Sequence, residues 1–403
     1  MHNNLIIYNG KIVLPDSVIN NGIIIIKEGK ISEILNYLPD IEDFRDNYIM
    51  INAGNKVVMP GIIDIHTDAM DVEICPRASA DFPIGIAFRE LERKMAGCGI
   101  TTVYHSLHIG YEVAEIGSKS KYTRKEVIEE VYNASKKNTI IHNKIHIRYE
   151  VTGVQAYNLS EYLINQGYVS LYSIMDHTPG QGQLSYENFL QYAQRKGLNE
   201  SQAKIEIMEL IQKPKINGDQ LTHLIRSLKE RNIPVASHDD DSAGKVMEMH
   251  LLGIDICEFP TNLEAAEKAT SLGIPVVGGA SNVLRGGSTG GNLNVMDAIN
   301  IGAINTLCSD YYPPAIIHAI FKIYNNNILT LNESVNLATL NSARAVKIDD
   351  HTGSIEKNKD ADIIIIDLVD EIPLVTYTIV KGRIVSQSVI FEKVNKSCLQ
   401  QLN

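Results

Sequence analysis

The sequence predicts an α/β protein in which a TIM-like (β/α)8 barrel carries a small β-sandwich domain built from both termini. Its 403 residues, 44% of them apolar, are enough for a barrel and a second domain at about 150 residues per ordinary domain. Strand-like and helix-like patterns alternate through the middle of the chain, which is typical of a parallel sheet with crossover helices. Short β-like runs occur at both ends.

The two ends of the chain share one pattern of short strands and turns. The predicted strands of this kind are residues 5–8, 11–14, 22–27, 56–59, 361–367 and 375–385. Asn-Gly, Glu-Gly-Lys and Lys-Gly-Arg turns separate them. Because the termini of a domain often lie close together, we predict that residues 1–58 and 352–403 form one β-sandwich. Residues 59–351 then form the barrel.

Eight candidate barrel strands follow one another in this central region. They are residues 61–66, 100–107, 144–151, 169–175, 233–238, 254–259, 274–278 and 303–309. Helical patterns lie between them, at residues 85–97, 124–137, 159–166, 186–212, 220–231, 243–252 and 263–272. The carboxyl ends of barrel strands meet on one face, so polar residues that follow each strand are the candidates for a site.

Charge and cysteine usage exclude several classes of protein. The net charge of −11, without a dominant run of Lys or Arg, argues against a nucleic-acid surface. The five cysteines have no CxxC spacing, so neither a disulfide framework nor a thiolate zinc site is indicated. No basic leader and no run of about 18 apolar residues occurs, which argues against a membrane protein. We expect a soluble protein in the reducing cytoplasm.

The first barrel strand ends in a polar pair, His66 and Asp68, after the apolar run that follows Pro60-Gly61. Side chains at i and i+2 leave the same face of a strand, so both can reach one metal ion. The pair could instead cap backbone groups of the following loop. A strand buried on both faces favours the metal, because a buried charge needs a partner.

Imidazoles and carboxylates recur where the other strands end. They are His105, His108, Glu150, Asp176, His177, His238, Asp239, Asp240, Asp241, Glu258 and Asp310. Such nitrogen and oxygen ligands hold zinc, manganese or iron and leave a position open, so we predict a catalytic site with one or two divalent ions, zinc first among them. Glu150 can bridge two cations, and Asp310 can accept a proton from water.

Some of these residues have two interpretations. His105 and His108 are three residues apart and do not share a strand face, so each could support a ligand or simply pack. Glu258 is a weaker candidate than Glu150, because Pro260 follows closely and the segment could be only a turn. The remaining histidines, His146 among them, are expected to be ordinary core or surface residues.

Two segments have the composition of anion sites. In the first, Arg285, Gly286, Gly287 and Ser288 follow a candidate strand, so backbone N–H groups and a guanidinium could approach phosphoryl oxygens. Arg77, after Cys75-Pro76, could form a fork to phosphate. A flexible loop and an idle surface arginine are the alternatives.

These motifs resemble the amidohydrolase superfamily, and within it the phosphonate-metabolism branch. The matching segments are residues 60–68, 76–77, 99–103, 148–150, 175–181, 236–240, 258–261, 282–288 and 309–313. His66-Thr67-Asp68 replaces the His-x-His of most amidohydrolases, a variation shared by this branch. Thr289 and Gly290 stand where the branch pattern has His and Ser, and Asp71 is atypical.

The resemblance implies a metal-dependent barrel with ligands His66, Asp68, Glu150, His177 and His238. Asp310 would be the general base and a further ligand. The implied reaction is attack of water on ribose 1-methylphosphonate 5-triphosphate, which releases pyrophosphate and leaves the 5-phosphate. Arg77 and Arg285 would hold the polyphosphate.

Two other functions stay open at this point. One is hydrolysis of a C–N bond by a cyclic-amide hydrolase or deacetylase, since one barrel supports many chemistries. The other is a scaffold without catalysis, against which the full set of ligand-type residues argues. The expected partner is a small phosphorylated substrate, with no nucleic acid and no membrane, and a homodimer is compatible with the sequence.

Overall fold

Two eight-stranded sheets organise the protein. The computed structural model describes residues 4–37, 47–77, 79–110, 120–182, 189–190, 199–288 and 291–390. One sheet is mainly antiparallel and combines strands from both ends of the chain, and the other is parallel throughout. The predicted fold class is therefore confirmed.

The first sheet belongs to the small domain. Its strands are β1 (Asn4–Val13), β2 (Val18–Lys27), β3 (Lys30–Leu35), β4 (Tyr48–Asn52), β5 (Val57–Pro60), β14 (Ile363–Val369), β15 (Ile372–Val380) and β16 (Arg383–Gln387). Antiparallel pairing of β5 with β14, for example Val58 with Ile365, joins the two ends of the chain. Apolar residues from both ends share one core. Residues 391–403, part of the predicted sandwich, lie outside the described residues.

The Asn9-Gly10 pair is not the turn that the sequence indicates, because β1 runs straight through it. Asn9 takes a left-handed conformation with φ 56°, and the register of β1 against β2 shifts between Ile7 and Gly10. A Cβ at Gly10 would lie 2.6 Å from Val58. The dipeptide is therefore a bulge that fits a close packing contact.

The second sheet is the barrel, and its eight strands correspond to the eight predicted ones. They are β6 (Ile62–Thr67), β7 (Ile100–Ile109), β8 (His142–Glu150), β9 (Leu171–Met175), β10 (Val235–His238), β11 (Ile256–Glu258), β12 (Val276–Gly279) and β13 (Thr306–Cys308). They are hydrogen-bonded in chain order. The last strand returns to the first through a bridge between Thr67 and Asp310, where Asp310 N donates to His66 O at 3.0 Å.

Helices cover the outside of the barrel. They are α1 (Ala69–Ile74), α2 (Ile84–Gly97), α3 (Arg124–Ser135), α4 (Tyr157–Asn165), α5 (Glu200–Ile211), α6 (Gly218–Glu230), α7 (Ala243–Leu252), α8 (Leu263–Ser271), α9 (Ala280–Arg285), α10 (Val295–Asn300), α11 (Ala315–Asn325), α12 (Leu331–Asn336) and α13 (Leu340–Ala345). Much of the predicted helix 186–212 lies outside the described residues. No helix of the described part is long and apolar enough to cross a membrane.

Alternation along the strands decides which side chains reach the inside of the barrel. On β8, Ile145, Ile147 and Tyr149 pack in the core shared with the helices. His146, Arg148 and Glu150 alternate with them and point the other way. The barrel interior is thus polar toward the carboxyl ends of its strands.

Candidate active site

A cavity of about 240 Å³ opens at the carboxyl ends of the barrel strands. Its wall includes three of the predicted site residues that carry metal-ligand or base chemistry, Asp68, His238 and Asp310. Asp239, another of the carboxylates predicted at the strand ends, and Arg148, which had no predicted role, also line it. The polar strand ends therefore form one site, as the barrel geometry predicts.

Three overlapping groups of side chains at this site have the spacing of metal ligands. Within each group, the ligand-type atoms lie within 4.8 Å of one another. The groups are His66 with Asp68 and Asp310, His66 with His238 and Glu258, and His177 with His238 and Asp239. His66 and His238 each belong to two groups, so the three groups form one continuous cluster.

The atoms of this cluster fit a divalent cation. His66 Nε2 and His238 Nδ1 are buried and make no hydrogen bond to the described residues. Burial, and then the charge of Arg148, hold the pKa of His66 well below its usual value, so the ring is neutral. Its Nδ1 lies 3.2 Å from Glu258 Oε1, which leaves Nε2 with a free lone pair. Neutral imidazoles beside carboxylates suit zinc, manganese and iron.

His177 is held by two carboxylates. Its Nδ1 lies 2.8 Å from Glu150 Oε2, and its Nε2 lies 3.5 Å from Asp239 Oδ2. Burial alone would lower the pKa of His177, but Asp239 and Glu150 raise it to about 9. A cation bound here would replace that proton, so binding should release it.

Glu150 lies behind His177, although its sequence position suggests a bridge between two cations. Its side chain is fully buried, and Oε1 accepts a hydrogen bond from the Thr152 hydroxyl at 3.2 Å. Together with the contact to His177, this gives each carboxylate oxygen a side-chain partner. None of the three ligand groups found among the described residues contains Glu150. In this arrangement the carboxylate orients the imidazole.

Glu258 is central to a ring of hydrogen bonds across the barrel interior. Its Oε2 accepts from Ser173 Oγ at 2.5 Å, and Ser173 Oγ lies 2.5 Å from His146 Nε2. His146 Nδ1 lies 3.0 Å from Ser106 Oγ, which accepts from Thr67 N at 3.1 Å. Glu258 Oε1 contacts His66, which precedes Thr67 on β6. The hydrogen bonds therefore start at one residue of β6, cross the barrel and return to the next residue of the same strand.

This ring gives a place to His146, which the sequence analysis left aside, and to Glu258, which it ranked below Glu150. His146 is fully buried, and burial lowers its pKa to about 3, so it is a neutral member of the ring rather than an ordinary core histidine. The single O–H of Ser173 donates to Glu258, so Ser173 can only accept from His146, and we assign the His146 proton to Nε2 although Nδ1 also lies 3.1 Å from Ile65 O. The His66 proton is assigned to Nδ1, which faces Glu258. Glu258 therefore fixes the ring orientation of His66.

The two undecided histidines have different surroundings. His105 Nε2 lies 2.9 Å from Asn143 Oδ1, and its ring packs 5.9 Å from that of Phe88 on α2. His105 is therefore a packing residue on the outside of the barrel. His108 is buried on the other face, and after burial the charge of Arg148 is the largest influence that lowers its pKa. It therefore lies next to Arg148 on the strand face that points into the barrel.

Asp310 has the environment of a general base. It lines the cavity, and burial, followed by the charge of Asp68, raises its pKa to about 6. A carboxylate with such a pKa accepts a proton better than an ordinary aspartate. Asp310, Asp239 and Phe259, each just after a barrel strand, all take left-handed conformations with φ 63°, 59° and 52°. These kinks aim successive side chains at the cavity.

The predicted anion-binding residues divide into two sets. Arg285, Gly287 and Ser288 line the cavity, and Gly286 ends α9 with φ 79°. Arg77 is exposed and is not part of the described cavity wall. Thr289 and Gly290, where the branch pattern is interrupted, lie outside the described residues.

Asp71, the other departure from the branch pattern, has a structural partner. Arg124 contacts its two oxygens at 2.6 and 2.9 Å, which ties α1 to the start of α3. The pair lies outside the cavity wall. Asp71 therefore gives no reason to expect a shifted substrate.

Comparison with known proteins agrees with this geometry. The profile of the amidohydrolase family matches residues 57–386. The alpha-D-ribose 1-methylphosphonate 5-triphosphate diphosphatase of Escherichia coli (strain K12) is 32% identical over 371 residues, 90% of this chain and 94% of that relative. This similarity supports the resemblance to the phosphonate-metabolism branch.

Solved structures share the fold at low sequence identity. An N-acetylglucosamine-6-phosphate deacetylase from Pasteurella multocida gives a TM-score of 0.61 at 11% identity, covering 96% of this chain and 100% of that one. A Xaa-Pro dipeptidase with bound methionine gives 0.64 at 15% identity, with the same coverage. At such identities the likeness concerns the fold alone.

Proposed function

The chain belongs to the amidohydrolase family, and we propose that it hydrolyses α-D-ribose 1-methylphosphonate 5-triphosphate to pyrophosphate and ribose 1-methylphosphonate 5-phosphate. A diphosphatase of this kind is a metal-dependent hydrolase that acts on a phosphorus anhydride. The observation that carries the proposal is a cavity in which metal-ligand groups stand beside two arginines, Arg148 and Arg285. A polyphosphate substrate needs such cations in addition to a metal.

In this proposal the first role of the site residues is to bind metal. His66, Asp68, His177, His238 and Asp310 would hold one or two divalent ions, with zinc favoured over manganese or iron and Glu150 orienting His177. A bound divalent cation supplies Lewis acidity that neutralises charge on phosphoryl oxygens and makes water more acidic.

Asp310 accepts the proton of the attacking water. As the new P–O bond forms at the phosphorus next to the ribose, the bond to the bridging oxygen breaks and pyrophosphate departs. Arg285, Gly287 and Ser288 contact the polyphosphate at the mouth of the cavity. Arg77 does not line the cavity, and its contact with the polyphosphate stays a prediction.

The proposal also covers the partners, location, oligomeric state and domain boundaries of the enzyme. We propose a small phosphorylated substrate, no nucleic-acid partner and a cytoplasmic site of action, since a triphosphorylated sugar does not cross membranes unaided. A homodimer stays a prediction, which light scattering coupled to size-exclusion chromatography would test. The two-part domain division at residues 58 and 352 is likewise a proposal, testable by limited proteolysis.

A product assay tests the reaction. Protein reconstituted with metal is incubated with the ribose 1-methylphosphonate triphosphate and, in parallel, with a nucleoside triphosphate, and pyrophosphate is resolved from orthophosphate. We expect pyrophosphate from the first substrate, with an Asp310→Asn preparation as the control for contaminating phosphatases. A metal-loaded protein that releases none would refute the proposal and favour C–N bond hydrolysis, to be tested with cyclic amides and N-acetylated sugars.

A further inference from the structure

Arg148 is a buried cation in the wall of the catalytic cavity. It lies on β8 two residues before Glu150, on the strand face that points into the barrel, and its side chain is 14% exposed. Arg285 lines the same cavity from an exposed position at the end of α9. The cavity therefore has one cation deep inside and one at its rim.

The contacts of Arg148 leave part of its guanidinium unused. Nη1 donates to Asp68 Oδ1 at 2.7 Å, and Nη2 lies 3.4 Å from His238 Nε2. Nε is buried and has no hydrogen-bond partner in the part of the chain that the structure describes. A guanidinium has five N–H donors, and a buried donor without an acceptor is unfavourable. These donors fit an acceptor that enters the cavity.

Carboxylates surround this arginine. Its Nη1 donates to Asp68 Oδ1 at 2.7 Å, and a guanidinium stays protonated at any ordinary pH. Two of them, Asp68 and Asp310, line the cavity with Arg148. An anion placed among these carboxylates would be repelled unless a cation faced it. Arg148 is the cation that faces such an anion at the floor of the cavity. Arg285 is exposed and faces only its outer part.

We propose that Arg148 is a substrate-binding residue that anchors a phosphoryl group at the floor of the cavity, beside Asp68 and His238. The identity of the anion as a polyphosphate rests on the proposed function, whereas the presence of an oxyanion site does not. Arg285 then contacts the distal, more exposed end of the same anion. Loss of Arg148 should misplace the reacting phosphorus and lower kcat, and loss of Arg285 should mainly raise KM.

A purely structural ion pair is the competing explanation, and the chain provides its control. Arg124 and Asp71 form a similar pair, with Arg124 13% exposed, but neither residue lines the cavity. Arg124→Met therefore removes a part-buried arginine of the same kind that does not line the cavity. If Arg148 acted only through such pairing, the two methionine variants would bind anions equally well.

The test is calorimetric titration of inorganic triphosphate into zinc-reconstituted, desalted protein, with metal content measured before and after. We expect Arg148→Met and Arg148→Lys to keep their zinc and lose about tenfold or more in affinity, the scale of one charge-assisted hydrogen bond. Arg124→Met should bind as the unaltered protein does. Lysine keeps the charge but not the fork, so its defect isolates the geometry of the guanidinium.

Several outcomes would overturn the proposal. One is unchanged triphosphate affinity in both Arg148 variants, and another is no triphosphate binding by the unaltered protein. A third is loss of zinc from both variants, which would make Arg148 a positioning residue for Asp68. Failure of the proposed function looks different. In that case triphosphate binds and depends on Arg148, but no pyrophosphate is released from the methylphosphonate substrate.

Discussion

Replacing Glu258 by glutamine should weaken metal binding without removing it. The carboxylate is fully buried, with Oε1 facing His66 Nδ1 and Oε2 accepting from Ser173. A glutamine oxygen can take over the contact to His66, but its amide group then meets the Ser173 hydroxyl as a second donor. The glutamine nitrogen and His146 Nε2 then both donate toward Ser173, so the Ser173 O–H loses its acceptor and one hydrogen bond of the ring is lost.

The size of the effect follows from this geometry. Removing a partner that orients a ligand histidine typically weakens metal affinity about 10- to 100-fold. At about 1.4 kcal/mol per factor of ten, this corresponds to about 1.4 to 2.8 kcal/mol. The buried unmatched donor adds about 1 to 3 kcal/mol of lost folding stability.

Competition with a chelator of known affinity measures the first effect, and thermal unfolding of the metal-free protein measures the second. Glu92→Gln is a matched control, because Glu92 is also buried but serves Arg89 and backbone groups outside the cavity. It should cost stability and leave metal affinity unchanged. Metal affinity in Glu258→Gln equal to that of the unaltered protein would contradict the ring. A loss beyond about 10⁴-fold would make Glu258 a direct ligand instead of an orienting residue.

Three further predictions test the base, the metal and the junction between the domains. Asp310→Asn should keep the fold, since asparagine tolerates the left-handed φ of 63°, and should keep the metal, since the amide oxygen and the other ligand-type residues remain. It should lower kcat at least about 100-fold in a pyrophosphate assay, and retained turnover would remove Asp310 as the base. His66→Ala combined with Asp68→Ala should lower metal content by elemental analysis, and full occupancy would mean that other residues hold the ion. Burial alone would raise the pKa of Asp362, but His142 holds this pKa below its unfolded value of about 3.9. Ionised Asp362 therefore stabilises the fold above that pH, and this stabilisation is lost as the pH falls through the folded pKa. Asp362→Asn should therefore lower the urea midpoint more at pH 7 than at about pH 3.5, and an equal loss at both would refute this linkage.

The order of elements could be predicted because each barrel strand is an apolar run between helical patterns. All eight strands were located, although β8 begins at His142 and β9 at Leu171, two residues from the predicted starts. Strand ends shift because the pairing of neighbours, which the sequence does not display, decides where a ladder begins. Asn9 shows the same limit, since a turn dipeptide became a bulge under tertiary packing.

Side-chain direction was harder to predict than strand position. His105 and His108 lie on one strand but on opposite faces, and only the register of β7 decides which of them meets the site. Arg148 and His146 carried a detectable signal, because they alternate with apolar residues up to Glu150. Glu258 was discounted because of Pro260, yet β11 ends at Glu258 and the proline comes after the turn that Phe259 makes.

The left-handed residues that end three barrel strands have a consequence for how the protein could change under selection. Phe259 is bulky and cannot adopt its φ of 52° without strain, and such residues typically cost about 1 to 3 kcal/mol. Glycine would relieve this strain but would remove the ring that packs edge-on against His66. The ring also packs against the inner core of the barrel, and losing such an aromatic side chain typically costs about 3 to 5 kcal/mol, more than the strain that glycine would relieve. A library selected only for survival at high temperature should therefore keep a large apolar residue at position 259 and retain the strained backbone beside the site.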